Sequence, residues 1–257
     1  MVKSIFLLDL RGLLAFLGYH HILMMVQAST IILLSILLAG CSSYSTMTNI
    51  YIMGLTYSNS TSSGLNAIET SLSEALNGFK GSSQLEVRTG YFGMCVRQRG
   101  ILWLCSSDTN GLVQQIGPEN DPLNLIGVAA KFRDDVLFSG LFIPAIVLTF
   151  FSLLLYRSTG SDVDVQPFPS RPISQVALSC SFVAAILCLV SSLWQHVGGV
   201  GAAAMADIAF YGNVSTTIGA GAIILGWMSF LLITLVTIGL VAMIIAIDTV
   251  NRLTSDE

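Results

Sequence analysis

Ile218 to Ile247 reads IGAGAIILGWMSFLLITLVTIGLVAMIIAI, and no Asp, Glu, Lys, Arg or His interrupts it. A helix needs about 20 apolar residues to cross a hydrocarbon core of ~30 Å, so this stretch can span a bilayer with residues to spare. Working outward, Ile22–Cys41, Leu137–Tyr156 and Ser174–Gln195 are equally free of charge. In lipid only helices and closed barrels satisfy their own backbone hydrogen bonds, and these lengths fit helices. Composition agrees: the chain is 53% hydrophobic and 10% charged, against about a quarter charged in soluble domains, and its mean hydropathy is +0.76. The expected fold is an all-α transmembrane four-helix bundle carrying a small extracellular α+β domain.

Basic residues in short loops set the orientation. Arg157 and Arg171 lie between spans two and three, whereas residues 196–217 contain no Lys or Arg. Residues 157–173 are therefore expected in the cytoplasm, as are the amino-terminal segment 1–21 with Lys3 and Arg11 and the tail 248–257 with Arg252. Residues 42–136 and 196–217 then face outside, leaving 22–41, 137–156, 174–195 and 218–247 as the spans. Two N-glycosylation sequons, at Asn59 and Asn213, both fall on the outside. Ser4 to Gly18, rich in Leu and Phe but interrupted by Asp9 and Arg11, fits an interfacial helix or an unstructured tail equally well. Leu37–Cys41 has the form of a bacterial lipobox, but the long sequence before it and three further spans behind it argue for an ordinary helix end.

Within the outer segment, Asn49–Tyr57, Gln84–Val96 and Ile101–Cys105 are rich in β-formers, and two or three strands are expected. Leu65, Ile68, Leu72, Leu76 and Phe79 recur at helical spacing, with Asn66 and Glu69 placed like a capping box. That pattern predicts an amphipathic helix laid on the sheet. Asp121–Pro122 looks like the start of another, running through Lys131 and Phe132 into span two. Of five cysteines, Cys41, Cys180 and Cys188 belong to spans, which leaves Cys95 and Cys105 in an oxidising compartment. Two strands meeting around Gly100 would set them within disulfide reach. A zinc site is disfavoured, because no second Cys or His pair lies outside.

The same region carries a family resemblance. Gly90-Tyr91-Phe92-Gly93-Met94-Cys95 followed by Trp103-x-Cys105 is similar to the Gly-Phe-Gly-x-Cys…Cys motif of fungal claudin-like tetraspan proteins, with Tyr91 as an extra aromatic. Together with Leu137-Phe138-x-Gly140-Leu141 at the head of span two, it most resembles the factor-induced mating proteins, a calcium regulator and membrane-fusion family. The resemblance implies a claudin-like fold, a plasma-membrane location, and a role in low-affinity calcium uptake during pheromone-induced mating and cell fusion. Read physically, Gly90 and Gly93 allow a bulge or a close backbone approach, while Tyr91, Phe92 and Trp103 suit a buried sheet face or the membrane interface. Arg97 and Arg99 at the turn are of a kind that is most often simply solvated.

Ala177, Ser181 and Ala185 form a small-residue ridge on span three, and Ala222 and Gly226 another on span four, which favours close helix packing. Span four, about 30 residues or ~45 Å long, must tilt or project, and Pro144 is expected to kink span two. Calcium takes six to eight oxygen ligands, yet Glu119, Asp121, Asp134 and Asp135 are scattered. Asp134 and Asp135, just outside span two, are the candidates for gathering cations. No cofactor is expected, and His20, His21 and His196 have no triad partner, so no enzyme is expected. A net charge of −4 offers no surface for nucleic acid. The expected partners are the lipid bilayer, a calcium channel subunit or further copies of the chain, and a cell-surface partner. Two functions are open: regulation of calcium entry by lateral association, or structural organisation of adhesion and fusion at cell contacts.

Overall fold

The computed structural model describes residues 19–42, 47–58, 67–98, 102–158 and 171–255. It is mostly helical, with a small sheet, and four helical stretches are long and apolar enough to cross a membrane: His21–Ala39, Leu125–Leu155, Pro172–Ala209 and Ala220–Ala246. The elements in chain order are α1 (Tyr19–Ala39), β1 (Met53–Tyr57), α2 (Ala67–Lys80), β2 (Leu85–Thr89), β3 (Met94–Gln98) and β4 (Leu104–Ser106). Then follow α3 (Thr109–Ile116), α4 (Leu125–Asp135), a 3-10 turn at Ser139–Leu141, α5 (Phe142–Ser158), α6 (Arg171–Ala209), β5 (Val214–Ile218) and α7 (Ala220–Ser255). The chain divides into two compact units, one holding residues up to Leu34, Phe142–Leu189 and Met228 onward, the other Ser35–Leu141 and Val190–Trp227.

The first unit is a helical bundle with a core of Leu23, Ala177, Val236, Leu240 and Met243. Its packing follows the small residues. Ala177 and Ser181 are almost wholly buried and Ala185 nearly so, and the Ser152 hydroxyl on α5 lies 3.3 Å from the Ala177 carbonyl oxygen and 3.0 Å from Ser181 Oγ. Gln27, also buried, donates through Nε2 to the Thr149 carbonyl oxygen at 3.0 Å. Pro144 occupies the third position of α5 rather than its interior. In a first turn the backbone N–H has no intrahelical acceptor, so no helix hydrogen bond is lost there and the reason to expect a kink falls away.

The second unit is built on a five-stranded antiparallel sheet of order β4-β3-β2-β1-β5. One row across it, Leu55, Val87, Val96 and Leu104, points to the core face, where Met53, Leu85 and Met94 are also buried. That face packs on α4, whose Leu125, Ile126, Ala129, Ala130 and Phe132 are buried. Strands alternate their side chains, so Gly54, Glu86, Arg88, Cys95, Arg97 and Cys105 share the opposite face. α3, unforeseen in the sequence, is closed by Asp108, which accepts from the Asn110 N–H, and by Gly117 at φ 78°.

Several expectations change here. Residues 196–217 are not a plain loop: α6 continues unbroken to Ala209, and Val214–Ile218 becomes an edge strand paired with β1. β5 makes the sheet five-stranded rather than two- or three-stranded. The apolar stretch Leu125–Leu155 is not one continuous helix: α4 stops at Asp135 and α5 begins at Phe142. The Val136 carbonyl oxygen, which a continuing helix would use, instead accepts the Trp194 indole N–H at 2.8 Å. Asp121 is not the N-cap, a position held by Asn124 in the left-handed conformation. Asp121 still serves that helix start, its carboxylate accepting from the Leu125 and Ile126 N–H groups. Finally, α2 buries its apolar stripe only in part: Leu76 is half-buried while Leu72 and Phe79 are exposed, and the helix is held by Ser73, whose hydroxyl donates to the Tyr211 carbonyl oxygen, and by buried Lys80, which donates to the Ser58 carbonyl oxygen. Burial lowers the pKa of that ammonium group. Asn66 and Ser4–Gly18 lie outside the described residues.

Candidate functional site

The motif glycines are explained by space. Gly90 and Gly93 close a tight turn between β2 and β3, with the Gly90 N–H bonded to the Gly93 carbonyl oxygen at 2.9 Å. A Cβ on Gly90 would overlap the Gly40 carbonyl oxygen, and one on Gly93 would come within 2.5 Å of the Cys41 carbonyl oxygen. The turn therefore lies backbone to backbone against the end of α1, where Cys41 is buried. Tyr91 between the two glycines is buried and donates its hydroxyl to Gln195 Oε1 at 3.1 Å. Phe92 points away and stays 46% exposed. The aromatics thus divide: Tyr91 is structural, and Phe92 is presented.

On the outer sheet face an ion cluster stands beside the motif. Glu86 and Arg88 are two residues apart on β2 and share a side, and Glu86 also opposes Arg97 in the β2–β3 register. The Glu86 carboxylate accepts from Arg88 Nε at 2.9 Å and from Arg97 Nη2 at 2.5 Å. Arg88 additionally donates through Nη1 to the Thr48 carbonyl oxygen and to Asn49 Oδ1. Its guanidinium lies 4.7 Å from the Tyr51 ring centre and 4.4 Å from that of Trp103, while Arg97 stands 4.8 Å from Trp103. Such cation–π contacts add about 0.5 to 2 kcal/mol each, more where water is excluded. Arg88 is fully engaged, whereas Arg97 keeps an open edge. The cluster ties the 47–52 loop, β2, β3 and the β3–β4 hairpin into one rigid face. Replacing Glu86 by Ala leaves two half-buried guanidinium groups without their shared carboxylate, and a loss of about 1 to 2 kcal/mol is expected, read as a lower melting temperature of the purified protein.

Cys95 and Cys105 are register partners on β3 and β4, with sulfurs 2.04 Å apart. Trp103 precedes β4, next to Leu102, which is 89% exposed. Arg99 and Gly100 lie outside the described residues, as does Asn59. A latch on the far side of β1 holds α4: the Tyr57 hydroxyl donates to Asp121 Oδ1 at 2.8 Å and accepts the Leu123 N–H. Burial pushes the pKa of that phenol well above its ordinary value.

The remaining candidates separate. Ala222 is buried, and a Cβ on Gly226 would lie 3.2 Å from Ser192 Oγ, so this small-residue pair is a packing surface. Asp134 pairs with Arg133 at 2.9 Å, and among the described residues no group of three His, Cys, Asp or Glu could hold a metal ion. Asn213, the second sequon, sits inside the fold. It is almost wholly buried, and its Nδ2 donates to the Ser73 and Phe210 carbonyl oxygens, so the folded chain leaves no room for a sugar on that atom. Asn213→Gln is expected to leave the glycosidase-sensitive gel shift unchanged while lowering stability by about 1 to 2 kcal/mol through those lost hydrogen bonds.

Sequence reasoning missed Glu86 and Arg88. Their signal was the alternation Leu85-Glu86-Val87-Arg88-Thr89, which puts both charges on one strand face. No curated protein matches this chain. The family model described as "Ca2+ regulator and membrane fusion protein Fig1" matches residues 70–246, from α2 through β2 to β5 and into α7, and the chain belongs to that family.

Proposed function

We propose that this chain is a plasma-membrane regulator of low-affinity calcium entry during fungal mating and cell fusion, acting by association with a channel or with itself. The family match over residues 70–246 carries this reading, since its description names calcium regulation and membrane fusion together. The side chains at the bundle interior support a regulator rather than a conductor: Gln27, Thr149, Ser152 and Ser181 are neutral and bond to one another or to helix backbone. Ion pathways through membranes are ordinarily marked by ionisable residues. The reading includes a claudin-like bundle with both termini in the cytoplasm, a Cys95–Cys105 staple in the mature protein, a glycan at Asn59 and no enzymatic activity. Reconstituting the purified protein alone in liposomes tests it. Little calcium flux is expected, and robust selective flux would show the chain to be a pore.

A second reading, a structural organiser of adhesion or fusion, is favoured by one observation. Phe92, in the β2–β3 turn, and Leu102, beyond the opposite end of β3, are exposed apolar side chains available to a partner or a second membrane. Mixing cells that lack the protein on one or both sides, with calcium in excess outside, separates the two. Full rescue of fusion by calcium supports the regulator; persistent failure supports the organiser.

A further inference from the structure

Trp194 is an exposed aromatic whose indole N–H is tied to the Val136 carbonyl oxygen, the placement expected of a residue at the membrane interface. Counted from Arg171, the turns up to Trp194 already supply the ~20 residues a span requires. α6 nevertheless continues to Ala209, and apart from His196 and the exposed Asp207 this outer part is apolar: Val197, Val200, Met205 and Ile208 are exposed, the last two at 74%. At 1.5 Å per residue, Met205 and Ile208 stand about 16 to 21 Å beyond Trp194 along the helix. A lipid tail does not reach that height. An apolar face of this extent in water marks a protein contact.

Beside this face an open groove of about 340 Å³ runs between α4 and the end of α6. Ala202, Ala206 and Ala209 form its small-residue wall, Met205 stands on its edge, and Lys131 and Asp135 line it from α4. Those two charges sit one helical turn apart, both exposed, and neither takes part in the ion pairs found among the described residues. In a two-fold contact, residue i of one copy meets residue j of the other and the reverse. Lys131 and Asp135 on one groove are therefore complementary to the same groove turned over.

We infer that this groove is a self-association surface, in which two copies pair about a two-fold axis. Lys131 of each copy faces Asp135 of the other, and each Met205 enters the opposite alanine-lined groove. The inference names the partner within the proposed regulatory role and rests on that reading only for its consequence in cells.

Two differently tagged full-length copies, co-expressed and extracted in mild detergent, test it by co-purification. The wild-type copies are expected to recover one another. Lys131→Glu in both copies, or Asp135→Lys in both, sets like charges opposite each other twice and should lower recovery about tenfold or more. Lys131→Glu in one copy with Asp135→Lys in the other restores opposite charges at both contacts, and recovery should return to near the wild-type level. That mixed pair also controls for folding, because two chains that fail alone must succeed together. Absent wild-type recovery, single variants that pair normally, or a mixed pair no better than either variant alone would each overturn the inference. Calcium uptake is measured separately in the same cells: restored pairing without restored uptake would count against the regulatory reading and leave the interface standing.

Discussion

Gly90→Ala is expected to destabilise the outer unit by about 3 kcal/mol or more, the upper range for forcing a methyl group into a closed contact. The added Cβ would overlap the Gly40 carbonyl oxygen, with the Gly40 carbonyl carbon and the Cys41 Cβ also close. Backbone has no rotamer with which to move aside, so either the 90–93 turn lifts off or the end of α1 shifts. Lifting the turn would pull Tyr91 from Gln195 and expose a buried hydroxyl contact. Gly78→Ala provides the opposite case. It lies in α2 with nothing within 4 Å of the new Cβ, and there alanine should gain about 0.5 to 1 kcal/mol from helix propensity. Thermal unfolding of the two purified variants gives the comparison, and equal melting temperatures would remove the close approach from this account of the motif.

That contrast shows what was legible in the sequence. Gly90 and Gly93 stand out as a motif, and a close backbone approach is one reason such glycines occur, but the surface they approach is the end of α1, some 50 residues earlier. Hydropathy exposes the spans because lipid imposes a rule on each stretch separately. Strand β5 obeys no such local rule: Val214–Ile218 is five residues long and becomes a strand by pairing with Met53–Tyr57 across most of the chain. The extension of α6 past Gln195 was not legible, because Gly198, Gly199 and Gly201 are poor helix formers on their own. The structure accommodates them inside the helix, where a Cβ on Gly198 would lie 3.1 Å from Val136 Cγ1. α2 failed in a different way. Its apolar periodicity predicted the right helix, but Leu72 and Phe79 are exposed and the polar contacts of Ser73 with Tyr211 and of Lys80 with Ser58 hold it in place.

The candidate site was half visible for a similar reason. Cys95 and Cys105 stand out by counting cysteines outside the spans, whereas Glu86 and Arg88 gain meaning only when Arg97 and Trp103 arrive across the sheet. Charge alternation along one strand marks a face. It does not reveal what covers that face.

Cys95→Ser and Cys105→Ser should each reduce surface protein several-fold, and the double replacement should behave like the singles. β4 is an edge strand of three residues, held to β3 by the pairs Met94–Ser106, Cys95–Cys105 and Val96–Leu104. So few pairs do not keep an edge in place alone, and a cross-link over a sequence separation of 10 contributes about 2 to 3 kcal/mol in the chain-entropy account. Without it, β4 is free to peel away and take Trp103 from the guanidinium groups of Arg88 and Arg97, loosening the cluster around Glu86. The spans are untouched, so membrane insertion should be normal and the loss should arise afterwards, when a destabilised outer unit is retained and degraded. In the proposed orientation a free thiol left in an oxidising compartment adds to the damage in the single variants. Non-reducing mass mapping of the surface protein reads the bond directly, alongside surface level and calcium uptake. Two free thiols in the mature chain, or serine variants with normal surface level and uptake, would show that β4 holds by its backbone pairs and the Trp103 contacts alone.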